Sequence, residues 1–203
     1  MERDSTEQGS TERMARVAPA HEYWKMEIGA GDLRRRKCTH RTGHRLITGE
    51  WPMLKDVFDP KVTDELITRI QSLTPESRGL WGKMAVGQML AHCCVTYEMV
   101  YDGNHRKPNA LMRLMLGLMV KKAVVSDKPY RHNSPTGGGF LVRDTRDFAL
   151  ERDRLVAYLK RTQQLGGDHF DGFESLSFGP LTRQQWSNLF YKHLDHHLGQ
   201  FGV

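Results

Sequence analysis

Three histidines near the C-terminus have the residue type and spacing that metal chemistry requires. They are His193, His196 and His197, within the stretch that runs from Pro180 to Val203. An α-helix turns by about 100° per residue, so His193 and His197 lie one above the other on the same face. Two imidazoles at positions i and i+4 can bind one divalent ion, and this spacing recurs in helical zinc sites. The pair therefore predicts a metal site.

The spacing alone leaves two other interpretations open. The histidines can be core residues whose ring nitrogens have hydrogen-bond partners, or they can form a solvated last turn that the helix dipole favours. Apolar neighbours within about 60° of the same line favour an inward-facing pair; they are Trp186, Leu189, Phe190 and Phe201. Two buried imidazoles without a shared partner are costly, and this cost favours the metal.

The helix that carries these histidines is expected to begin at Thr182. Thr182 and Gln185 have the Ser/Thr-x-x-Glu/Gln spacing of a capping box, which satisfies free backbone N–H groups of the first turn. His196 lies about 80° from the apolar line, at its edge. Three polar residues are predicted on the opposite, solvent-facing side: Asn188, Lys192 and Asp195.

Composition indicates one domain with an N-terminal extension. Residues 1–48 are polar and show neither helical nor strand periodicity, so we expect a disordered tail or a non-native extension from an upstream start codon. Residues 49–203 are long enough for one domain with a buried core. The net charge of +6 is shared evenly between the two segments, and no basic stripe alternates with aromatic residues. We therefore expect no nucleic-acid partner.

The chain is expected to be cytoplasmic and to have no membrane partner. Its first residues lack the basic and apolar regions of a secretory signal. The most apolar run, 111–125, is too short to cross a bilayer and is interrupted by three basic residues. The three cysteines, Cys38, Cys93 and Cys94, cannot form an extracellular disulfide framework, which indicates a reducing compartment.

Helical periodicity predicts four helices before the closing one. The first starts at Pro60 after a capping Asp59, and the others cover about 85–101, 109–125 and 146–164. The second is apolar on two sides, so we expect it to lie between neighbouring helices. Residues 166–179 are interpreted as a connector, and no segment alternates like a strand. Five helices with medium connections predict an all-α fold, a four-helix bundle with one additional helix.

The third predicted helix is rich in methionine. It places four apolar side chains on one side, which we assign to the core: Leu111, Leu114, Met115 and Leu118. Methionine also occurs on adaptable contact surfaces, so the alternative is that this helix mediates a homodimer.

Two segments together resemble a known superfamily. They are Trp81–Cys93, which contains His92, and Tyr191–Gly202, which contains the three histidines. The chain from Phe58 to Val203 is similar to the DinB/YfiT-like superfamily of four-helix-bundle metalloenzymes, and within it to a bacterial family of unknown function. The loop Arg131–Thr136 and the segment Phe178–Leu181 also resemble that family.

This resemblance implies a three-histidine site at one end of the bundle, with His92 from the second helix and His193 and His197 from the last. His196 is the alternative ligand if the last helix is rotated. Similar proteins bind zinc or nickel, and several relatives transfer or isomerise low-molecular-weight thiol adducts. A small-molecule substrate, such as a thiol adduct, is therefore expected.

Two glutamines and two cysteines lie near the predicted metal ligands in the sequence or on the same helix face. Gln88, one turn before His92, and Gln200, on the inward line, are candidates to orient a ligand or a water; a buried amide with backbone partners is the alternative for both. Cys93 and Cys94 point about 100° or 200° away from His92, which disfavours a fourth ligand.

No catalytic general base can be identified from the sequence. The hypothesis is a metal-dependent transferase or hydrolase that uses a metal-activated thiol or water. The alternative is a non-catalytic helical bundle with a structural or vestigial metal site, which acts through dimerisation.

Overall fold

The computed structural model describes residues 54–134 and 136–203. The predicted tail, residues 1–48, lies outside the described residues. The described part is mostly helical, which confirms the all-α class. Its helices are α1 (Pro60–Gln71), α2 (Val86–Tyr101), α3 (Ala110–Met119), α4 (Lys121–Val125), α5 (Phe148–Phe170) and α6 (Arg183–Gln200), with a 3-10 turn at Gly138–Phe140 and two short antiparallel strands, β1 (Glu174–Ser175) and β2 (Gly179–Pro180).

Side-chain caps fix the starts of four of these helices, α1, α3, α5 and α6. The Thr182 hydroxyl accepts from the Gln185 backbone N–H, and the Gln185 side chain accepts from the Thr182 N–H, as predicted for α6. Asp59 caps α1 directly before its first-turn proline. The caps of α3 and α5, Asn109 and Asp147, accept from backbone N–H groups of their first turns. Each cap satisfies one donor that the helix leaves free.

Helix α2 lies in the centre of the core, as its two apolar sides predict. The Tyr97 ring stacks on Phe190 of α6 at 4.9 Å between centroids and on Tyr158 of α5 at 5.7 Å. Among the four longest helices, α1, α2, α5 and α6, both α5 and α6 contact the other three. This packing places α2 directly against α6, the two helices that carry the predicted metal ligands.

The predicted third helix is two helices, and its apolar side is not in the core. It breaks at Val120 into α3 and α4. All four residues assigned to the core, Leu111, Leu114, Met115 and Leu118, are exposed. The side that faces the protein carries the buried Leu116 and Arg113, whose guanidinium pairs with Glu174 at 2.6 Å. Periodicity shows that a helix has an apolar face, but another element must cover that face before it becomes core.

Two polar residues of α6 predicted to face solvent are buried instead. The Asn188 amide donates to the Val125 carbonyl at 2.9 Å and to Asp127 at 2.8 Å. The Lys192 ammonium donates to the carbonyls of Ala123 and Ser126. Helix α4 and the residues after it cover this side of α6, and their backbone carbonyls supply the hydrogen-bond partners that burial of polar groups requires.

The fourth predicted helix is longer than its pattern indicates. Helix α5 runs to Phe170, and Gly166, with φ of 74°, interrupts it at a kink. The predicted connector starts at Gly166, where the helix is interrupted. Here the chain resumes a last turn before the β1–β2 hairpin, so the predicted connector is partly helical and contains two short strands.

No helix in residues 54–134 and 136–203 has the length and apolar character needed to cross a membrane.

Candidate metal centre

Three histidine side chains meet where α2 packs on α6. His92 comes from the middle of α2, and His193 and His197 come from successive turns of α6. One ring nitrogen of each lies within 4.8 Å of the other two. His92 and His197 are buried, and His193 is intermediate in exposure. The structure therefore brings together the two histidines whose spacing predicts the site and the third that the resemblance implies.

The Nε2 atoms face the centre of this cluster. Those of His92 and His193 are 2.9 Å apart. The ring centroids are 4.6 Å apart for His92 and His197 and 4.9 Å apart for His193 and His197. The rings meet at steep angles, between 60° and 83°, so they surround a common point instead of stacking.

The outer nitrogens, Nδ1, are all held by neighbouring groups. His92 Nδ1 donates to the Phe140 carbonyl at 2.8 Å, since a carbonyl can only accept. His193 Nδ1 lies 3.0 Å from the hydroxyl oxygen of Thr96. Thr96 is one turn after His92 on α2, so α2 supplies one histidine and supports another. A hydrogen bond at the outer nitrogen fixes the orientation of the ring and its tautomer.

Gln200 gives His197 the same kind of support. Its Oε1 lies 2.9 Å from His197 Nδ1, and its Nε2 donates to the Trp81 carbonyl at 2.7 Å. A carbonyl can only accept, so the Gln200 atom beside the Trp81 carbonyl is the amide nitrogen. The amide oxygen of Gln200 therefore accepts from His197 Nδ1. The Nε2 atoms of His92 and His197 are then unprotonated and free to bind a cation.

The two glutamines predicted to support the site differ in role. Gln88 accepts from the Ala85 N–H at 3.0 Å and donates to the Asp144 carbonyl at 3.2 Å. Its amide therefore has backbone partners, although the side chain borders the cavity beside the histidines. Gln200 instead contacts His197, one of the three candidate metal ligands. It is therefore the stronger candidate for a supporting residue.

Burial keeps the three rings neutral. Removal from water lowers the pKa of His92, lowers that of His193 well below its ordinary value, and lowers that of His197 to about 3. The neighbouring imidazoles lower the pKa of His193 and His197 further, because a second positive charge in the cluster is unfavourable. Neutral imidazole is the form that binds a metal.

The donor set fits a divalent metal ion. Three neutral imidazoles are a common ligand set for catalytic zinc, with a further position left for water or substrate. The 2.9 Å between His92 and His193 is a few tenths of an ångström shorter than the spacing of about 3.3 Å between two nitrogens of tetrahedral zinc. Small rotations of the two rings provide that difference.

Residues considered as further ligands lie elsewhere. The Cys93 and Cys94 thiols contact Met89 and the Glu151 carbonyl respectively. His196 is outside the cluster; its ring lies among Trp81, Tyr130 and His132, with centroids 5.7 to 6.0 Å away.

The two acidic residues nearest to these histidines in the sequence also have other partners. Glu98 pairs with Arg154 and His105, and Asp195 pairs with Arg69. No carboxylate belongs to the histidine cluster in the described part of the chain.

An open cavity of about 440 Å³ borders the cluster at His197 and Gln200. The loop that follows Arg131 lines it through Asn133, Ser134 and Thr136. His132 of the same loop stacks on Trp81 with 3.9 Å between centroids, which holds the loop near the cluster. Its other walls are Trp81, Gly82, Lys83, Met84, Gln88, Phe140, Leu141 and Val142. A small molecule can therefore reach His197 from solvent.

Three supporting groups were missed by sequence reasoning. Thr96 could have been found, because it lies four residues after His92 and so on the same face of α2. The carbonyls of Trp81 and Phe140 carry no such signal. Backbone carbonyls are present at every residue, and only the tertiary fold brings these two to the histidines.

The fold and the cluster define a helical protein with a candidate three-histidine metal site beside an open cavity. The chain belongs to the family described as Protein of unknown function (DUF1569), whose model matches residues 56–202. No curated protein and no solved structure matches the chain. The matched segment contains all three histidines.

Acid should destabilise the metal-free protein through His197. Its folded pKa, about 3, lies below the ordinary value of 6.5, so below pH 6.5 the unfolded chain binds more protons than the folded one. The free energy of unfolding then falls as the pH drops, by up to about 3 kcal/mol between pH 7 and pH 4. Urea unfolding of metal-free wild type and His197→Asn at several pH values measures this difference. Parallel curves for the two proteins would contradict it.

The two glutamines should respond differently to substitution. Gln200→Leu removes the acceptor of His197 Nδ1, and we expect zinc affinity to fall by about 10- to 100-fold, as for other groups that orient metal ligands. Gln88→Leu removes bonds to backbone only, so we expect little change in affinity. Competition titration against a chromogenic chelator measures both. Equal effects of the two substitutions would show that the His197 to Gln200 hydrogen bond is unimportant for metal binding.

Proposed function

We propose that this protein is a metal-dependent enzyme of the DinB/YfiT-like type, a transferase or hydrolase. His92, His193 and His197 would hold a divalent ion, zinc or nickel. The observation that carries the proposal is the convergence of three supported imidazoles, one of which, His197, lines an open cavity. The resemblance of the two histidine-containing segments to that superfamily supports the same conclusion.

An incomplete protein ligand set supports a catalytic role over a structural one. Structural zinc sites are almost always closed by four protein ligands, whereas catalytic sites have three and leave a position for water or substrate. Cys93 and Cys94, the nearest sulfur ligands in sequence, have other partners. When bound at such a site, a divalent ion supplies Lewis acidity that lowers the pKa of a water or a thiol.

The residues of the chain provide orientation and a binding surface. Thr96, Gln200 and the Phe140 carbonyl hold the outer nitrogens, so the rings are in place before any ligand arrives. Such preorganisation avoids an ordering cost during the reaction. Trp81, Ser134 and Thr136 supply apolar and hydroxyl contacts for a small substrate. A low-molecular-weight thiol adduct is the proposed substrate, with hydrolytic substrates as the second class.

Turnover by the metal-loaded protein tests this proposal. Zinc- or nickel-loaded wild type is offered thiols with electrophilic acceptors, and separately esters and amides. His193→Ala removes one ligand, and His169→Ala is the matched control because His169 is an exposed histidine outside the cluster. We expect turnover in the wild type and control and none in His193→Ala.

The non-catalytic alternative makes a different prediction from the same proteins. If the site is only structural, substitution of the ligands lowers the melting temperature of the loaded protein, and neither substrate class is converted by any variant. A metal-loaded wild type that is inactive on both classes, but melts higher than His193→Ala, would favour this alternative over the enzyme.

A further inference from the structure

Helix α3 presents an apolar face to solvent. Five side chains within about 140° of its wheel are between 44% and 73% exposed: Leu111, Leu114, Met115, Leu118 and Met119. The opposite side holds the helix on the protein through buried Leu116 and the ion pair between Arg113 and Glu174. Contiguous apolar surface of this kind marks interaction sites on soluble proteins.

The surroundings of this face are basic. Between Asp102 and Asp127 the sequence has no acidic residue and five basic ones, Arg106, Lys107, Arg113, Lys121 and Lys122. Glu174 pairs with two of these, which leaves the group net positive. Arg106 and Lys122 are exposed and flank α3 along the chain. An apolar face with exposed basic residues before and after it in the sequence therefore faces solvent.

We propose that α3 attaches the protein to the surface of an anionic lipid bilayer. A helix that lies in the plane of the interface inserts its apolar side chains below the headgroups, while flanking cations bind anionic lipid. The leucines and methionines of α3 would insert below the headgroups, and Arg106 and Lys122 would bind the anionic lipid. This is attachment to a surface, and it requires no helix that spans the membrane.

The proposal replaces the sequence-based expectation of no membrane partner. That expectation rested on the short length of the apolar run 111–125 and on the basic residues as interruptions of a span. An interfacial helix needs neither a long nor an uninterrupted apolar run, and Leu111, Leu114, Met115 and Leu118 are exposed.

A second copy of the chain fits this face less well than a bilayer. Helix α3 has ten residues and is about 15 Å long, too short by itself for the roughly 800 Å² per partner of a standard interface. A symmetric contact would also bring two net positive segments together, which is unfavourable. An acidic protein would match the charge, but the convex face of one helix needs a complementary groove, whereas a bilayer needs none.

Vesicle co-sedimentation of the full chain tests the proposal. The vesicles contain phosphatidylglycerol mixed with phosphatidylcholine, or phosphatidylcholine alone. Leu111→Ser/Leu114→Ser/Leu118→Ser removes apolar contact, and Arg106→Ser/Lys122→Ser removes charge. Leu150→Ser/Leu165→Ser, which changes exposed leucines of α5, is the matched control. Thermal unfolding confirms that each variant is folded.

We expect binding to the anionic vesicles only. The partition coefficient should fall at least tenfold in the leucine variant, roughly tenfold in the charge variant, and little in the control. Binding that is absent, or that persists in the leucine variant, would overturn the proposal. Self-association that the leucine substitutions abolish, without vesicle binding, would assign the face to a second copy instead. None of the substituted residues contacts the histidines, so the result is independent of the metal centre.

Discussion

His193→Ala should reduce the affinity for zinc by more than about 100-fold, which exceeds the 10- to 100-fold effect of removing a group that only orients a ligand. His193 supplies one of the three converging nitrogens, and its Nε2 is 2.9 Å from that of His92. Alanine leaves two imidazoles, and the described residues place no cysteine or carboxylate in the cluster that could replace the third. Competition titration against a chelator of known affinity gives the ratio directly.

The control for this experiment is His169→Ala, which removes an exposed imidazole on α5. Its zinc affinity should equal that of the wild type. The account would be wrong about the ligand set if His193→Ala retained wild-type affinity, or if both substitutions weakened binding equally. His196→Ala gives a further comparison: as a neighbour outside the cluster, it should change affinity much less than His193→Ala.

Lys192→Met should lower the free energy of unfolding by about 3 kcal/mol, because it removes two partly buried hydrogen bonds that a charged group donates. The Lys192 ammonium donates to Ala123 at 2.8 Å and to Ser126 at 2.6 Å, and these bonds tie α4 and the chain after it to α6. Methionine preserves most of the apolar stem but donates no hydrogen bond. Thermal and urea unfolding measure the change.

Lys160→Met is the matched substitution, since Lys160 is an exposed lysine on α5. We expect it to change stability by no more than about 0.5 kcal/mol, as surface substitutions usually do. Burial lowers the pKa of Lys192 to about 8, so the charged lysine is itself partly unfavourable. A Lys192→Met protein as stable as the wild type would mean that losing this charge fully offsets the lost hydrogen bonds.

Local spacing predicted the parts of the site that a single helix determines. His193 and His197 face one way because they are four residues apart, and Gln200 follows three residues later on the same side. The capping box of α6 is equally local. His92 is different: nothing in α2 alone distinguishes a ligand from a core histidine, and its assignment came from the resemblance.

The failures share a physical cause: the sequence shows the faces of a helix, but not the neighbours that cover them. Asn188 and Lys192 were assigned to solvent because they oppose the apolar line of α6. Helix α4 covers that side and offers carbonyls as acceptors. The reverse applies to α3, whose apolar side chains, such as Leu118, are covered by no element of the described part of the chain. The carbonyls that hold His92 and Gln200 likewise depend on tertiary packing.

The metal content of the purified protein shows whether the three histidines bind an ion. Wild type prepared without an affinity tag is compared by elemental analysis with the His92→Ala/His193→Ala/His197→Ala variant. The account predicts about one equivalent of zinc or nickel in the wild type and none in the variant. A wild type that contains no metal, and takes up neither ion when it is added, would contradict the existence of the site.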